Sequence, residues 1–212
     1  TLCTYVNEGT SPNLIYTCIL SNAEGTTISE TIRGSHLTPG AANLVKRAKV
    51  PTPASDNTVQ ALLREFTILE EIEMPIGKIS NLPANSGLFG TYGATLKKIQ
   101  FKNGGIATWS ASAFDKCVLM TDLDLSNNLI ATIEANADVG LVKLERLNLA
   151  DNRMTTFPVF SILTTLKVFN ISGNLLAALS VSVALPSKAT LENADLSRNQ
   201  IASITIDYFK DY

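Results

Sequence analysis

The chain has 212 residues, a formal net charge of −2, 45% hydrophobic residues and a single histidine. So even a charge balance argues against a dedicated nucleic-acid surface, which is usually a basic patch, and no apolar run reaches the roughly 18 residues of a membrane span. His36 alone cannot supply the several ligands of a zinc site or the partnered base of a Ser–His or Cys–His dyad. It reads as a surface residue, and no metal, cofactor or catalytic role is expected.

The chain opens at Thr1 without methionine or a signal-like segment, as expected of a processed or trimmed sequence. Residues 1–36 read as an amino-terminal cap, with Ile15, Cys18 and Leu20 echoing a strand spacing. A Cys3–Cys18 bridge would close a loop of about 15 residues, worth roughly 3 kcal/mol in the entropic picture. The alternative is two free thiols in a reduced protein; the bridge, and with it an oxidising environment, is the expectation. Val45-Lys-Arg-Ala48-Lys-Val50 looks like a degenerate first rung of an array running through residues 37–212. Asp56 or Asn57 can cap a helix whose Val59, Leu62, Leu63 and Phe66 recur at helical spacing. The segment Gly87-Leu-Phe-Gly90-Thr-Tyr-Gly93 is too glycine-rich for a helix and reads as a loop; it also lacks the Lys-Ser/Thr of a phosphate-binding loop.

From Leu69 onward one phrase recurs with starts at 69, 96, 120, 144, 166 and 191, at spacings of 27, 24, 24, 22 and 25. Its clearest copies are Met120-Thr-Asp-Leu123-Asp-Leu125-Ser-Asn-Asn128-Leu-Ile130 and Leu144-Glu-Arg-Leu147-Asn-Leu149-Ala-Asp-Asn152-Arg-Met154. Leu166–Leu176 and Leu191–Ile201 complete the strong set. The phrase resembles the L-x-x-L-x-L-x-x-N-x-L signature of leucine-rich repeats. That resemblance implies an α/β solenoid, with a parallel β-sheet on the concave side, short helices or turns on the convex side, and here a disulfide-bonded amino-terminal cap.

The pattern has a physical basis. Each L-x-L step is a short strand with its leucines inward, and a lone rung cannot bury them, so rungs must stack. Asn128, Asn152, Asn174 and Asn199 each bring a donor and an acceptor on a short side chain, suited to backbone groups that leave the ladder where the chain turns. Gly77 and Gly104 hold this position in the two earlier copies, where they are expected to permit the turn without a side-chain bond and to leave a looser amino-terminal half. On the convex side, positions six and three before each start give Leu63/Phe66, Phe114/Cys117, Phe160/Leu163 and Leu185/Lys188. Cys117 therefore faces inward as a small buried hydrophobe.

The stretch Trp109-Ser-Ala-Ser-Ala113-Phe114-Asp-Lys-Cys117-Val-Leu-Met120 is similar to the "aFdxLxxL" part of typical extracellular leucine-rich repeats. Over about residues 45–212 the chain resembles the ectodomain of a leucine-rich-repeat receptor or receptor-like kinase, although the Gly-x-Ile-Pro step of plant receptors is absent. The resemblance implies a non-catalytic, extracellular or cell-surface module within a larger membrane receptor, anchored only by segments outside this chain. It would recognise a protein or peptide, with carbohydrate as a second ligand class. The alternative is a secreted, free-standing binding or inhibitor protein.

Candidate contact residues are the variable strand positions, which point to the concave face. They are Lys49, Glu71, Glu73, Lys98, Gln100, Asp122, Asp124, Arg146, Asn148 and Asp195. Charge alternates from rung to rung across Lys46/Arg47/Lys49, Glu70/Glu71/Glu73, Lys97/Lys98/Lys102 and Asp122/Asp124. Parallel strands lie about 4.8 Å apart, so opposite charges can meet and fix the stacking, or they can form a banded surface for a charged partner. Asn148, Asn170 and Asp195, beside Ala150, Ser172 and Ser197, make a small polar floor; Asn170-Ile-Ser172 is also the chain's single glycosylation sequon.

The register places a further strand near position 215, beyond Tyr212, so a carboxy-terminal cap is expected to be missing here. Phe209, Leu196, Ile201, Ile204 and Ile206 would then lie near an uncovered core, inviting end-to-end association through residues 191–212. Light scattering should show dimers at high concentration, abolished when the array is extended through its cap. A strictly monomeric chain would overturn that expectation.

Overall fold

A computed structural model of the chain describes residues 3–8, 15–20, 45–50, 56–85, 87–179 and 189–204. Among them, nine strands form one sheet in the order β1 (Cys3–Glu8), β2 (Ile15–Leu20), β3 (Val45–Lys49), β4 (Glu71–Met74), β5 (Lys98–Phe101), β7 (Asp122–Asp124), β9 (Arg146–Asn148), β10 (Val168–Asn170) and β12 (Asn193–Asp195). β1 and β2 are antiparallel, and every later pairing is parallel. Each repeat therefore adds one strand to the same sheet, as the recurring phrase requires.

Register follows the phrase. Ala48, Ile72, Ile99, Leu123, Leu147, Phe169 and Ala194 stand opposite one another in successive strands, and all but Ala194 are buried. Their outward neighbours are half-buried or exposed, giving the period of two expected of a sheet with one solvated face.

The convex side packs on the same core. Helix α1 (Asp56–Glu65) lies where the spacing predicts it, with Val59, Leu62 and Leu63 buried and Phe66 just beyond its end also buried. Phe114, Cys117 and Leu163 are buried at their predicted register, and Phe160 packs half-buried against the core. Successive rungs are joined by aromatic contacts: Phe89 stacks on Phe101 and Phe114, Trp109 meets Phe114 and Phe160 at 5.4 and 5.9 Å, and Phe160 meets Phe169 edge-on. The reading of 87–93 as a non-helical loop is corrected. Gly90–Thr95 is a 3₁₀ helix entered through Gly90 at φ +53° and closed by the Leu96 amide donating to Gly93 O. A single short 3₁₀ stretch requires few hydrogen bonds, so glycine content that would prevent a long α-helix does not prevent it.

A second ladder runs after the turn, pairing β6 (Thr108–Trp109) with β8 (Thr132–Ile133) and β11 (Ala178–Leu179) with β13 (Ser203–Ile204). In it the Ser110 amide donates to Leu82 O and the Glu134 amide to Trp109 O. The equivalent position in the next rung is Pro158, which has no N–H to donate, and the ladder lapses there.

The turns are held by asparagine. Asn152 Nδ2 donates to Leu125 O of the preceding rung at 3.0 Å and to Leu149 O and Ala150 O of its own, while its Oδ1 accepts the Ile130 amide at 2.9 Å. Asn128, Asn174 and Asn199 repeat this pattern, each spanning to the rung before it. One residue earlier, Asn103, Asn127, Asp151, Gly173 and Arg198 form a column with φ between +50° and +65°, the left-handed region in which Asn, Asp and Gly are least strained.

The glycines at the asparagine position behave differently from expectation. Neither Gly77 nor Gly104 has a left-handed φ, so turn permission is not their contribution; a Cβ on Gly104 would lie 2.7 Å from Asn128 Oδ1. Gly104 clears space for the next rung's asparagine, and the missing side-chain bond is supplied by Asn103, whose Nδ2 donates to Pro75 O at 2.7 Å.

Asn152→Ala strands the buried Ile130 amide and takes one of two donors from the Leu125, Leu149 and Ala150 carbonyls, which keep Asn128, Asn174 and the Asn127 amide; it should cost about 1–3 kcal/mol of stability. Gly104→Ala should also destabilise, by displacing Asn128, and this cost should shrink in an Asn128→Ala background, because the two positions share one contact. Urea denaturation of the single and double variants checks this; unchanged midpoints for Asn152→Ala would remove the asparagine from its assigned role.

Candidate binding surface on the concave sheet

Three outward columns cross the sheet. The middle one reads Arg47, Glu71, Lys98, Asp122, Arg146, Val168, Asn193. Beside it runs Lys49, Glu73, Gln100, Asp124, Asn148, Asn170, Asp195. On the other side, Lys46 within β3 and Glu70 and Lys97 just before β4 and β5 follow one another. All ten candidate residues thus share one face.

Most of the charges meet in pairs, as strand spacing allows. Arg47 holds Glu71 through two hydrogen bonds of 2.7 and 3.1 Å, Lys49 meets Glu73 at 2.8 Å, and Arg146 meets Asp122 at 3.2 Å. Lys102 reaches Asp124 at 3.0 Å, and Lys167 reaches Glu145 at 3.1 Å. Glu70 sits between Lys46 at 3.2 Å and Lys97 at 2.8 Å. Partial burial opposes its ionisation, but hydrogen bonds to Lys97 and Lys46 and their charges prevail, holding the carboxyl below its ordinary range.

The polar floor is more committed than its sequence suggests. Asp124, Asn148, Asn170 and Asp195 each turn Oδ1 back to accept the amide two residues on, at Ser126, Ala150, Ser172 and Ser197. These Asx turns end each strand. Hydrogen bonds from the Ser197 side chain and amide hold the Asp195 carboxyl below its usual range. So the column is first a structural device: Asn148, Asn170 and Asp195 each offer a partner only the remaining polar atom, and that of Asp124 is already held by Lys102.

Other side-chain ladders were not anticipated. Thr95, Thr165 and Thr190 precede strand starts and donate Oγ1 to Leu69 O, Leu144 O and Leu166 O of the previous rung; the recurrence of threonine one residue before a start was the available signal. Arg198 reaches past a whole rung to Asp151 at 2.8 Å. Gly173, at φ +65°, lies between them, and a Cβ there would collide with the Asp151 carboxylate. Sequence spacing gives no hint of such a contact between next-nearest rungs.

Two open depressions lie along the columns. One, of about 220 Å³, is lined by Arg47, Glu71, Ile72, Glu73, Lys98 and Gln100. The other, of about 270 Å³, runs from Lys98 and Gln100 past Asp122 and Arg146 to Val168 and Asn170. Both fall below the roughly 300–1,000 Å³ of small-molecule sites. Among the described residues, no group of His, Cys, Asp and Glu is placed to hold a metal ion, and no helix is long and apolar enough to cross a membrane. Cys117 is a free thiol, buried and pushed up to about 12 by burial and by the Asp115 charge, hence inert at neutral pH.

Residues 94–154 match the family model described as leucine rich repeat. These residues are leucine-rich repeats. The chain is 34% identical over 91 residues to the transforming growth factor beta activator LRRC33 of Danio rerio, an overlap covering 41% of this chain and 13% of that protein. Among solved structures it is similar to TLR13, in its complex with ssRNA13, with a TM-score of 0.68 and 18% identity over 92% of this chain and 31% of that one. It is also similar to the LRIM1 leucine-rich repeat domain, with a TM-score of 0.62 and 14% identity over 98% and 60% of the two chains. The octameric complex of Latrophilin 3, Unc5D and FLRT2 also contains a similar chain, with a TM-score of 0.54 and 19% identity over 80% and 59%. The solved structures establish the fold.

Cys3 and Cys18 belong to β1 and β2, where Cys3 stands opposite Leu20 and Cys18 opposite Tyr5. Their side chains, His36, residues 185 and 188 and the segment from 205 to 212 lie outside the described residues.

Because the Glu70 pKa is depressed, its contribution to stability is fully present above its ordinary value of 4.5 and is lost as pH falls through the lower folded value. Glu70→Gln should cost about 0.5–1 kcal/mol at pH 7, in keeping with partly exposed pairs, and almost nothing at pH 2.5. Denaturant titrations of both proteins at the two pH values decide it; an equal deficit at both would show the effect is not ionic.

Proposed function

We propose that this chain is a non-catalytic recognition module that binds a protein or peptide across its concave sheet, as the extracellular part of a larger membrane receptor. The observation that carries this is the sheet itself, in which successive parallel strands present polar and charged side chains in register on one open face, over depressions too small to enclose a metabolite. Such a surface suits a macromolecular partner, because affinity then comes from many contacts spread over a wide area. The names of its relatives support the class: one is a transforming growth factor beta activator, and another similar chain occurs in an octameric complex with two further proteins. The chain spans about an eighth of the length of the curated relative it matches, so the remainder of a receptor would lie in other segments.

An extracellular location carries two chemical corollaries, a Cys3–Cys18 bridge in the cap and a glycan on Asn170. That glycan would project over the polar floor and direct a protein ligand toward the strands before β10. A secreted, free-standing binding protein is the second reading, favoured by the same surface.

The chain, labelled and displayed in multimeric form, should bind the surface of cells that carry its partner. A bulky concave substitution such as Gln100→Trp should abolish that binding, whereas Arg64→Ala on α1 should leave it intact. Equal loss from both, or loss from the convex variant alone, would refute concave recognition. Peptide mass mapping of the unreduced secreted protein tests the bridge and the glycan, and free thiols at both Cys3 and Cys18 would count against the extracellular assignment.

A further inference from the structure

Along the concave sheet, each cation is held by an acid of a neighbouring rung, with one exception among the described residues, Lys98. Its two in-register neighbours are Glu71 and Asp122. Both are already taken from their far sides, Glu71 by Arg47 in a two-pronged contact and Asp122 by Arg146. The column therefore runs as two neutral pairs flanking one uncompensated ammonium group, which carries no ion pair of its own. Gln100 lies two residues along the same strand, on the same face, about 6–7 Å away. Its carboxamide makes no side-chain hydrogen bond among the described residues, so it keeps both donors free. These two side chains line both depressions and are the point at which they meet.

We infer that Lys98 and Gln100 form a receptor site for a carboxylate side chain, glutamate or aspartate, presented by an extended segment of the protein partner. The inference rests on the concave-recognition reading and specifies its chemistry. A bound carboxylate meets a cation with no competing acid to displace and gains a second donor from the amide, a charge-assisted arrangement. A cationic ligand group fits poorly, because the acids on either side are already neutralised and Lys98 repels it. The depressions hold about 220 and 270 Å³, enough for a side chain entering from above and too little to bury a free metabolite.

The test uses the isotopically labelled chain and two capped peptides, acetyl-Ala-Glu-Ala-Glu-Ala-amide and its glutamine counterpart, followed by nuclear magnetic resonance. The glutamate peptide should shift the Gln100 side-chain amide and the backbone signals of residues 98–100 saturably. Lys98→Gln should weaken that binding about two- to fivefold, as should moderate salt, in line with a partly exposed ion pair; Lys143→Gln should leave it unchanged. If both peptides shift the sheet equally, the concave reading stands and the carboxylate site falls. Shifts confined to the convex side or the lateral edges overturn both, and an unaltered affinity in Lys98→Gln, or no shift with the glutamate peptide, overturns the site.

Discussion

Everything in this molecule depends on how a backbone that must turn every 22 to 27 residues keeps its hydrogen bonds while doing so. A turn inside a stacked array is buried on both sides, where an unmatched amide or carbonyl costs about 1–3 kcal/mol. Asparagine answers this with one carboxamide. Its NH₂ group bonds carbonyls of its own rung and the one before, and its oxygen takes the earlier rung's amide. Each turn is thus completed by the next, so a rung's stability is partly the property of its neighbour. Where the ladder changes residue, at Gly104, the structure compensates with Asn103 and leaves room for Asn128.

The same neighbour dependence governs the surface. Charges on adjacent strands are forced into contact by strand spacing, so a charged column must either alternate in sign or repel itself. Alternation makes most of these residues partners of one another, and the Asx turns do the same to the polar column beside them. Binding capacity is then a remainder, located where the alternation leaves a group uncompensated. Lys98 and Gln100 occupy that place because Arg47 and Arg146 have claimed the acids on either side.

The convex side obeys looser rules. Phenylalanine and tryptophan fill it through ring contacts that tolerate several geometries, so helix, 3₁₀ helix and extended turn can follow one another there without disturbing the sheet. Gly140 marks one tight point: at φ +95°, it passes so near Phe114 O that a Cβ would collide with it. Asp138, fully buried, fixes another by accepting the amides of Ser161 and Ile162 at 2.7 and 2.8 Å.

By itself the sequence determined the repeat, its register and the inward residues, because L-x-L alternation and the recurring asparagine are local patterns with one stacking solution. It also located α1, through the spacing of Val59, Leu62, Leu63 and Phe66, and the inward thiol of Cys117. The tertiary structure alone decided which outward residues are spent. Whether Lys98 is free and whether Arg198 crosses Gly173 to Asp151 depend on distances between side chains 24 to 47 residues apart, and whether Asn148 and Asp195 close their own strand ends depends on the backbone turn two residues on. Several acids and bases stand within reach of each other on such a face, and only the packed geometry chooses among them.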